Sequence, residues 1–247
     1  MEYKAFGDER AEKILLLHGG GLSWWNYRDE AALLADEYRV ILPILDGHAG
    51  SGRRFTTIEE NAAELLRFLD GEPGGPVALL GGLSLGAQIA LEMLSQRPGL
   101  CRCALIESAM LQPSKLTHAL IAPSLAGSYG LVRSRSFARL QFKSLHMRGE
   151  LFEDYYRDSC AIEKEDMIAF LQANTAYEMK RALVRCRARM HVFAGERESR
   201  GILRSAELLG RELPDSTVTI LPGLYHGEFS LNRPQDYARA VRDILHA

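Results

Sequence analysis

Within Val77-Ala-Leu-Leu-Gly-Gly-Leu-Ser84-Leu-Gly-Ala-Gln-Ile-Ala-Leu-Glu-Met-Leu94 the hydrophobic period changes at the serine. Before it, Val77–Leu80 is a short unbroken apolar run behind the turn cluster Pro73-Gly-Gly-Pro76, which reads as a strand buried on both faces. After it, Ala87, Ala90, Leu91 and Leu94 fall at i, i+3, i+4 and i+7, the stripe of a helix that Pro98-Gly99 closes. Between the two lies Gly82-Leu-Ser84-Leu-Gly86. A serine on so sharp a strand-to-helix turn sits in a strained backbone, and the residues two before and two after must be small or their side chains collide. Gly82 and Gly86 meet that demand. The new helix aims its first amides and the positive end of its dipole at the serine, where negative charge would develop. A chance GxSxG arises in about one chain in eight of this composition, so the flanking strand and helix carry the assignment. Ser84 is a candidate nucleophile.

The same alternation extends outward in both directions. Ile14–Leu17, Val40–Leu45, Cys103–Ile106, Met190–Ala194 and Thr217–Leu221 are further short apolar runs, all read as strands buried on both faces. Helical stripes occupy Ala62–Leu69, Ile202–Leu213 and Pro234–Ile244. Strands alternating with helices predict an α/β fold, a mostly parallel doubly wound sheet with helices on both faces. Residues 111–186 break the rhythm, with no strand but helical pieces near Ser134–His146, Leu151–Cys160 and Lys164–Ala173. That is too long for a connection, so it reads as an inserted helical cap, leaving 1–110 and 187–247 as the core. Arg133, Arg135, Arg139, Lys143 and Arg148 in the insertion read as a solvated helix face.

Composition removes several function classes. The chain has 247 residues, 30 Lys+Arg against 32 Asp+Glu and a net charge of −2, which gives no global attraction to nucleic acid. Its 47% hydrophobic content is that of a folded globule. No apolar run approaches the roughly 18 residues of a membrane span, and Met1–Phe6 lacks the pattern of a signal peptide. Cys101, Cys103, Cys160 and Cys186 form no CxxC or Cys/His spacing, so they are expected as free thiols in a reducing, cytoplasmic setting, with no metal site.

His18-Gly-Gly-Gly21 follows the first clear apolar run. It fails as a dinucleotide fingerprint, because Trp24 stands where the third glycine of GxGxxG would fall. As an oxyanion loop it fits, with the backbone N–H groups of Gly20 and Leu85 as donors and Gly21 as a competitor. His18 itself reads as a structural residue tying the loop down.

HGGG after an early strand, then GLSLG in a strand-turn-helix, resembles the α/β-hydrolases, specifically their cap-bearing esterase and lipase branch, from about Lys13 to Ile244. That resemblance implies a serine nucleophile, an acid and a histidine in chain order, the last two on loops after late strands. His226, in Leu221-Pro-Gly-Leu-Tyr-His-Gly227 before the last helix, is then the expected base. Gly195-Glu-Arg-Glu198 matches a family Gly-x-x-Asp loop with a side chain one methylene longer, so Glu198 is the expected acid; Glu196 and Glu107 are the alternatives. Asp46-Gly-His-Ala-Gly-Ser-Gly52 resembles the family's Asp-x-x-Gly-x-Ser loop and reads as a structural turn beside the pocket rather than a site for His48 catalysis. Trp24 and Trp25 are expected to line the acyl pocket or to pack under the cap.

The resemblance therefore implies hydrolysis of a small carboxylic ester through an acyl-enzyme, on a small-molecule acyl substrate, with no metal or organic cofactor. Thioester or lactone opening, acyl transfer, or a ligand-binding receptor that kept the pocket and little turnover are alternatives on the same residues. An aspartate nucleophile, as in dehalogenases and epoxide hydrolases of this fold, is disfavoured by Ser84. Oligomeric state is not legible in the sequence.

Overall fold

A computed structural model describes residues 1–247. Seven strands form one sheet: β1 (Tyr3–Phe6), β2 (Lys13–Leu17), β3 (Arg39–Pro43), β4 (Val77–Leu83), β5 (Cys101–Glu107), β6 (Arg189–Gly195) and β7 (Ser216–Leu221). Their order is β1-β3-β2-β4-β5-β6-β7, with β1 antiparallel to β3 and every other pair parallel. The six apolar runs of the sequence are β2 to β7, and the doubly wound parallel sheet is the one they imply. Strands β2, β3 and β4 are buried along their whole length. The edge strand β7 corrects the expectation for its run. Its four central residues are exposed, because one edge of the strand has no neighbour. Strand β1 is an addition, four residues without an apolar run that pair with the outer edge of β3.

Helices α1 (Arg28–Leu34), α2 (Ile58–Gly71) and α3 (Leu85–Gln96) fall between the early strands. Helices α4 (Lys115–Ser128), α5 (Arg135–Ser144), α6 (Phe152–Ala161) and α7 (Lys164–Ala176) lie between β5 and β6. Helices α8 (Arg200–Glu212), α9 (Glu228–Asn232) and α10 (Pro234–His246) complete the chain. Local chemistry starts them: Thr57 Oγ1 accepts the Glu60 N–H at 3.0 Å at the head of α2, and Pro234 opens α10 where an N–H would go unused.

Alternation along β2 divides the core. Leu15 and Leu17 pack with Leu65 of α2, Ile89 of α3 and Leu209 of α8; Ile14 and Leu16 pack with Leu34 of α1 and Val241 of α10. The helices between β5 and β6 join both layers, Phe170 of α7 in the first and Phe152 and Tyr155 of α6 in the second. Gln88 of α3 fastens α7 further, donating to the Asn174 carbonyl at 2.9 Å and accepting from Asn174 Nδ2 at 2.8 Å.

The chain runs outward from β2 to β3, then returns to lay β4 on the other side of β2. Loops leaving the carboxyl ends of β2 and β4 therefore diverge over one crevice, the place where parallel α/β sheets hold ligands. His18–Gly21 and Ser84 are the residues at those two ends.

Candidate active site

Ser84 has φ 53° and ψ −110°, left-handed backbone on a non-glycine residue, where β4 hands over to α3. The two glycines around it are sterically required. A Cβ on Gly82 would lie 2.5 Å from the Gly86 carbonyl group, and one on Gly86 would lie 2.1 Å from the Leu17 carbonyl oxygen of β2. The serine N–H is held by the Glu107 carbonyl at 2.9 Å. Its Oγ has no hydrogen-bond partner.

Three N–H groups of the glycine loop after β2 are engaged. Gly19 donates to Asn26 Oδ1 at 3.2 Å, Gly21 to His48 Nε2 at 3.0 Å, and Leu22 to the Gly19 carbonyl at 3.1 Å. The Gly20 N–H bonds nothing, and neither does that of Leu85, the first residue of α3. Gly20 and Leu85 are the two residues whose N–H groups the sequence reading singles out, and the N–H of the competitor Gly21 is occupied by His48. A Cβ on Gly20 would touch Leu85 Cδ2 at 3.6 Å, so the two residues are neighbours.

Two buried histidines hold this loop. His18 Nε2 accepts the Leu45 N–H at 3.1 Å, which leaves the proton on Nδ1 to donate to the Gly19 carbonyl at 2.9 Å. His48 accepts from Gly21 and donates from Nδ1 to the Asp46 carbonyl at 3.1 Å, while its ring stacks on Phe170 at 4.4 Å. Burial pushes His48 down to about 4 and His18 well below the usual histidine value, so both stay neutral and keep these tautomers.

His226, on the loop between β7 and α9, donates from Nδ1 to Glu198 Oε2 at 2.8 Å. The other carboxylate oxygen of Glu198 accepts from Ser108 Oγ at 2.6 Å and from the Gly195 N–H at 2.9 Å. Burial pushes the Glu198 carboxyl up, but the hydrogen bond and charge of His226, with the Ser108 and Gly195 donors, outweigh it and hold the group below its ordinary value. The alternatives do not touch His226. Glu196 accepts the Gly223 N–H at 2.8 Å, and Glu107 accepts the Ser230 N–H at 3.2 Å with its second oxygen unpartnered. His226 Nε2 makes no hydrogen bond. Its loop does reach the serine turn: a Cβ on Gly227 would meet the δ carbons of Leu83 at 3.1 Å.

A cavity of about 250 Å³ opens above the glycine loop after β2, with Gly20 and Gly21 on one side and Leu125, Phe137, Met167 and Phe170 among its apolar walls. Trp24 and Trp25 do not line it, which corrects the pocket role; of the two places expected for them, Trp25 takes the other, against a helix of the 111–186 segment. The 3₁₀ turn Trp24–Tyr27 carries both toward the core layer of α1 and α10. Trp25 is fully buried there and donates from Nε1 to Asp158 Oδ2 of α6 at 2.7 Å, and Trp24 lies under the Lys4 ammonium. Sequence reading places His48 only in a structural turn and misses two supporting residues, Ser108 and Asn26. Ser108 has positive φ directly after β5, and Asn26 and His48 consume loop amides across 7 and 27 positions. Only the Asp46–Gly52 likeness pointed toward any of them.

Comparison with known proteins follows the same lines. A family model described as the alpha/beta hydrolase family matches residues 14–240. A curated AB hydrolase superfamily protein of Gibberella zeae is 32% identical over 134 residues; the match spans 53% of this chain and 46% of that protein, so about half of each. Among solved structures, a thermophilic esterase from Thermogutta terrifontis superposes with a TM-score of 0.79 at 20% identity, covering 99% of this chain and 92% of the esterase. An enol-lactonase from Burkholderia xenovorans gives 0.81 at 15% identity, covering 100% and 96%. At those identities the likeness is one of fold.

Proposed function

This chain belongs to the alpha/beta hydrolase family, and on that premise we propose that it cleaves a small carboxylic ester through an acyl-enzyme, with Ser84 as nucleophile, His226 as base and Glu198 as the residue that orients the base. The supporting observation is the 2.8 Å contact between His226 Nδ1 and a Glu198 carboxylate whose other oxygen is saturated by Ser108 and Gly195. A carboxylate so held fixes the imidazole tautomer with its lone pair on Nε2, and stabilises the imidazolium once that atom takes a proton.

In this reading Ser84 Oγ attacks the ester carbonyl carbon while its proton passes to His226 Nε2. Both atoms are free of other partners, and such contacts commonly close only around bound substrate. The carbonyl oxygen becomes an oxyanion facing the unbonded N–H groups of Gly20 and Leu85. As the C–O bond breaks, the imidazolium returns the proton to the leaving alcohol. Water then attacks the acyl carbon, giving its proton to His226, and Ser84 leaves with that proton restored. Residues 111–186 act as the cap: Leu125, Phe137, Met167 and Phe170 supply apolar walls suited to an uncharged acyl or alcohol chain.

The test is fluorophosphonate labelling with turnover of p-nitrophenyl esters of graded chain length, in the wild type and in Ser84→Ala. Labelling and turnover should vanish in the variant, a loss of about 10⁴-fold or more, with the thermal midpoint unchanged. Turnover retained in Ser84→Ala would remove the mechanism, and labelling without turnover in the wild type would favour the receptor reading.

A further inference from the structure

Helix α4 is apolar on two opposite sides and buries neither fully. His118, Ile121, Ala122, Leu125 and Ser128 are half-buried against the molecule. Leu116, Ala119, Leu120, Pro123 and Ala126 repeat the same i, i+3, i+4, i+7 spacing on the outside, and all are exposed, Leu116 at 73% and Leu120 at 53%. A helix hydrophobic around its circumference belongs in a protein core or against lipid, yet no residue of α4 is buried. In the residues that follow α4, Leu131 and Leu140 are likewise exposed, at 48% and 69%.

Charge is segregated onto the same segment. Between Glu107 and Glu150 there is no acidic residue, while Lys115, Arg133, Arg135, Arg139, Lys143 and Arg148 give it six positive charges in a chain whose total is −2. Arg135 and Arg148 are paired with Glu153 and Asp29 from outside the segment. Lys115, Arg133, Arg139 and Lys143 have no acidic partner within ion-pair distance.

We propose that the outer stripe of α4, with Leu131, Leu140 and the four cations that lack an acidic partner, docks on an anionic lipid membrane surface. Exposed leucines give it apolar groups to enter the acyl boundary, and the basic side chains match the headgroup charge, the combination that holds peripheral helices in an interface. A symmetric contact with a second copy of the chain would set these cations against their own equivalents. Nucleic acid would match the charge but leave the leucines without partners. The proposal does not depend on the reaction assigned above, because its test reads binding.

Sedimentation with phosphatidylcholine vesicles containing about 30% phosphatidylglycerol, against pure phosphatidylcholine, tests it. The wild type should pellet with the anionic vesicles at low ionic strength, be released by about 0.5 M NaCl, and stay in solution with the neutral ones. Arg133→Glu/Lys143→Glu should lower partitioning at least about twentyfold, since each basic residue at a membrane surface contributes roughly fivefold. Leu116→Glu/Leu120→Glu should lower it comparably, with far-ultraviolet circular dichroism unchanged in both. A wild type that stays in solution with anionic vesicles at low salt overturns the proposal, as does equal binding by both variants. A dimer abolished by Leu116→Glu/Leu120→Glu, without vesicle binding, assigns the face to a second copy instead. Capture by polyglutamate but not by anionic vesicles assigns it to an acidic protein.

Discussion

Glu107 ends β5 and Glu198 lies on the loop just past the neighbouring parallel strand β6, both deep in the protein, and their carboxyl groups move in opposite directions. Burial drives both upward. Glu107 has a backbone N–H at 3.2 Å and one orphaned oxygen, so burial wins and the group rises to about 7. Glu198 has Ser108, Gly195 and His226 around it, so burial loses and the group falls. The number of donors aimed at a buried carboxylate, more than its depth, decides whether it carries charge. That is a physical reason to assign the acid to the end of β6 rather than β5.

Substitutions can break that contrast. Glu198→Gln should reduce kcat on an ester by about 10³-fold with little change in KM, as expected when the partner of a catalytic imidazole loses its charge; a silent variant would return the acid role to Glu107. Ser108→Ala removes one donor and should lower kcat by about tenfold. It should also raise the Glu198 pKa, moving the low-pH loss of stability to higher pH in urea unfolding measured along a pH series. The sign follows from a folded-state pKa below the ordinary 4.5: the stability Glu198 contributes is complete above that value and is lost as pH falls through the depressed one.

Glu107 should behave oppositely. Its folded-state pKa is raised, so the native protein holds a proton that the unfolded chain has released, and stability is lost as pH rises from about 4.5 to about 7. Glu107→Gln keeps an acceptor for Ser230 and should cancel that loss, gaining at most about 3 kcal/mol at pH 8 and almost nothing at pH 4. Parallel unfolding profiles for the variant and the wild type would contradict it. Activity should change least here, within about threefold.

The sequence discloses what neighbouring residues dictate to one another. Gly82 announces a strained turn because the crowding it relieves, against Gly86 and Ala87, lies within five positions, whereas Gly86 relieves crowding against the Leu17 and His18 carbonyls, which only the fold brings close. Short apolar runs reveal strands because burial on both faces needs no partner to be recognised. Helix α4 escapes the same reading: its apolar residues occupy two faces and Pro123 interrupts it, so no single stripe stands out. Strand β1 escapes for the converse reason, too short to alternate visibly. The two tryptophans stay ambiguous in sequence because the turn after Ser23 decides their direction, and Trp25 answers to Asp158, 133 residues away. The free N–H of Gly20 is likewise identified only by elimination, through side chains brought in by the fold.

Leu145 closes α5 and touches two separate spaces. On one side is the apolar cavity above Gly20; on the other is a crevice of about 180 Å³ against Glu198, Tyr225 and His226. One isobutyl group thus borders both spaces, and its next neighbour, His146, lies flat on Tyr225 at 3.9 Å and anchors it to the histidine loop. The segment between β5 and β6 and the loop that carries His226 therefore meet at two consecutive side chains, so a shift of either one is felt by the other.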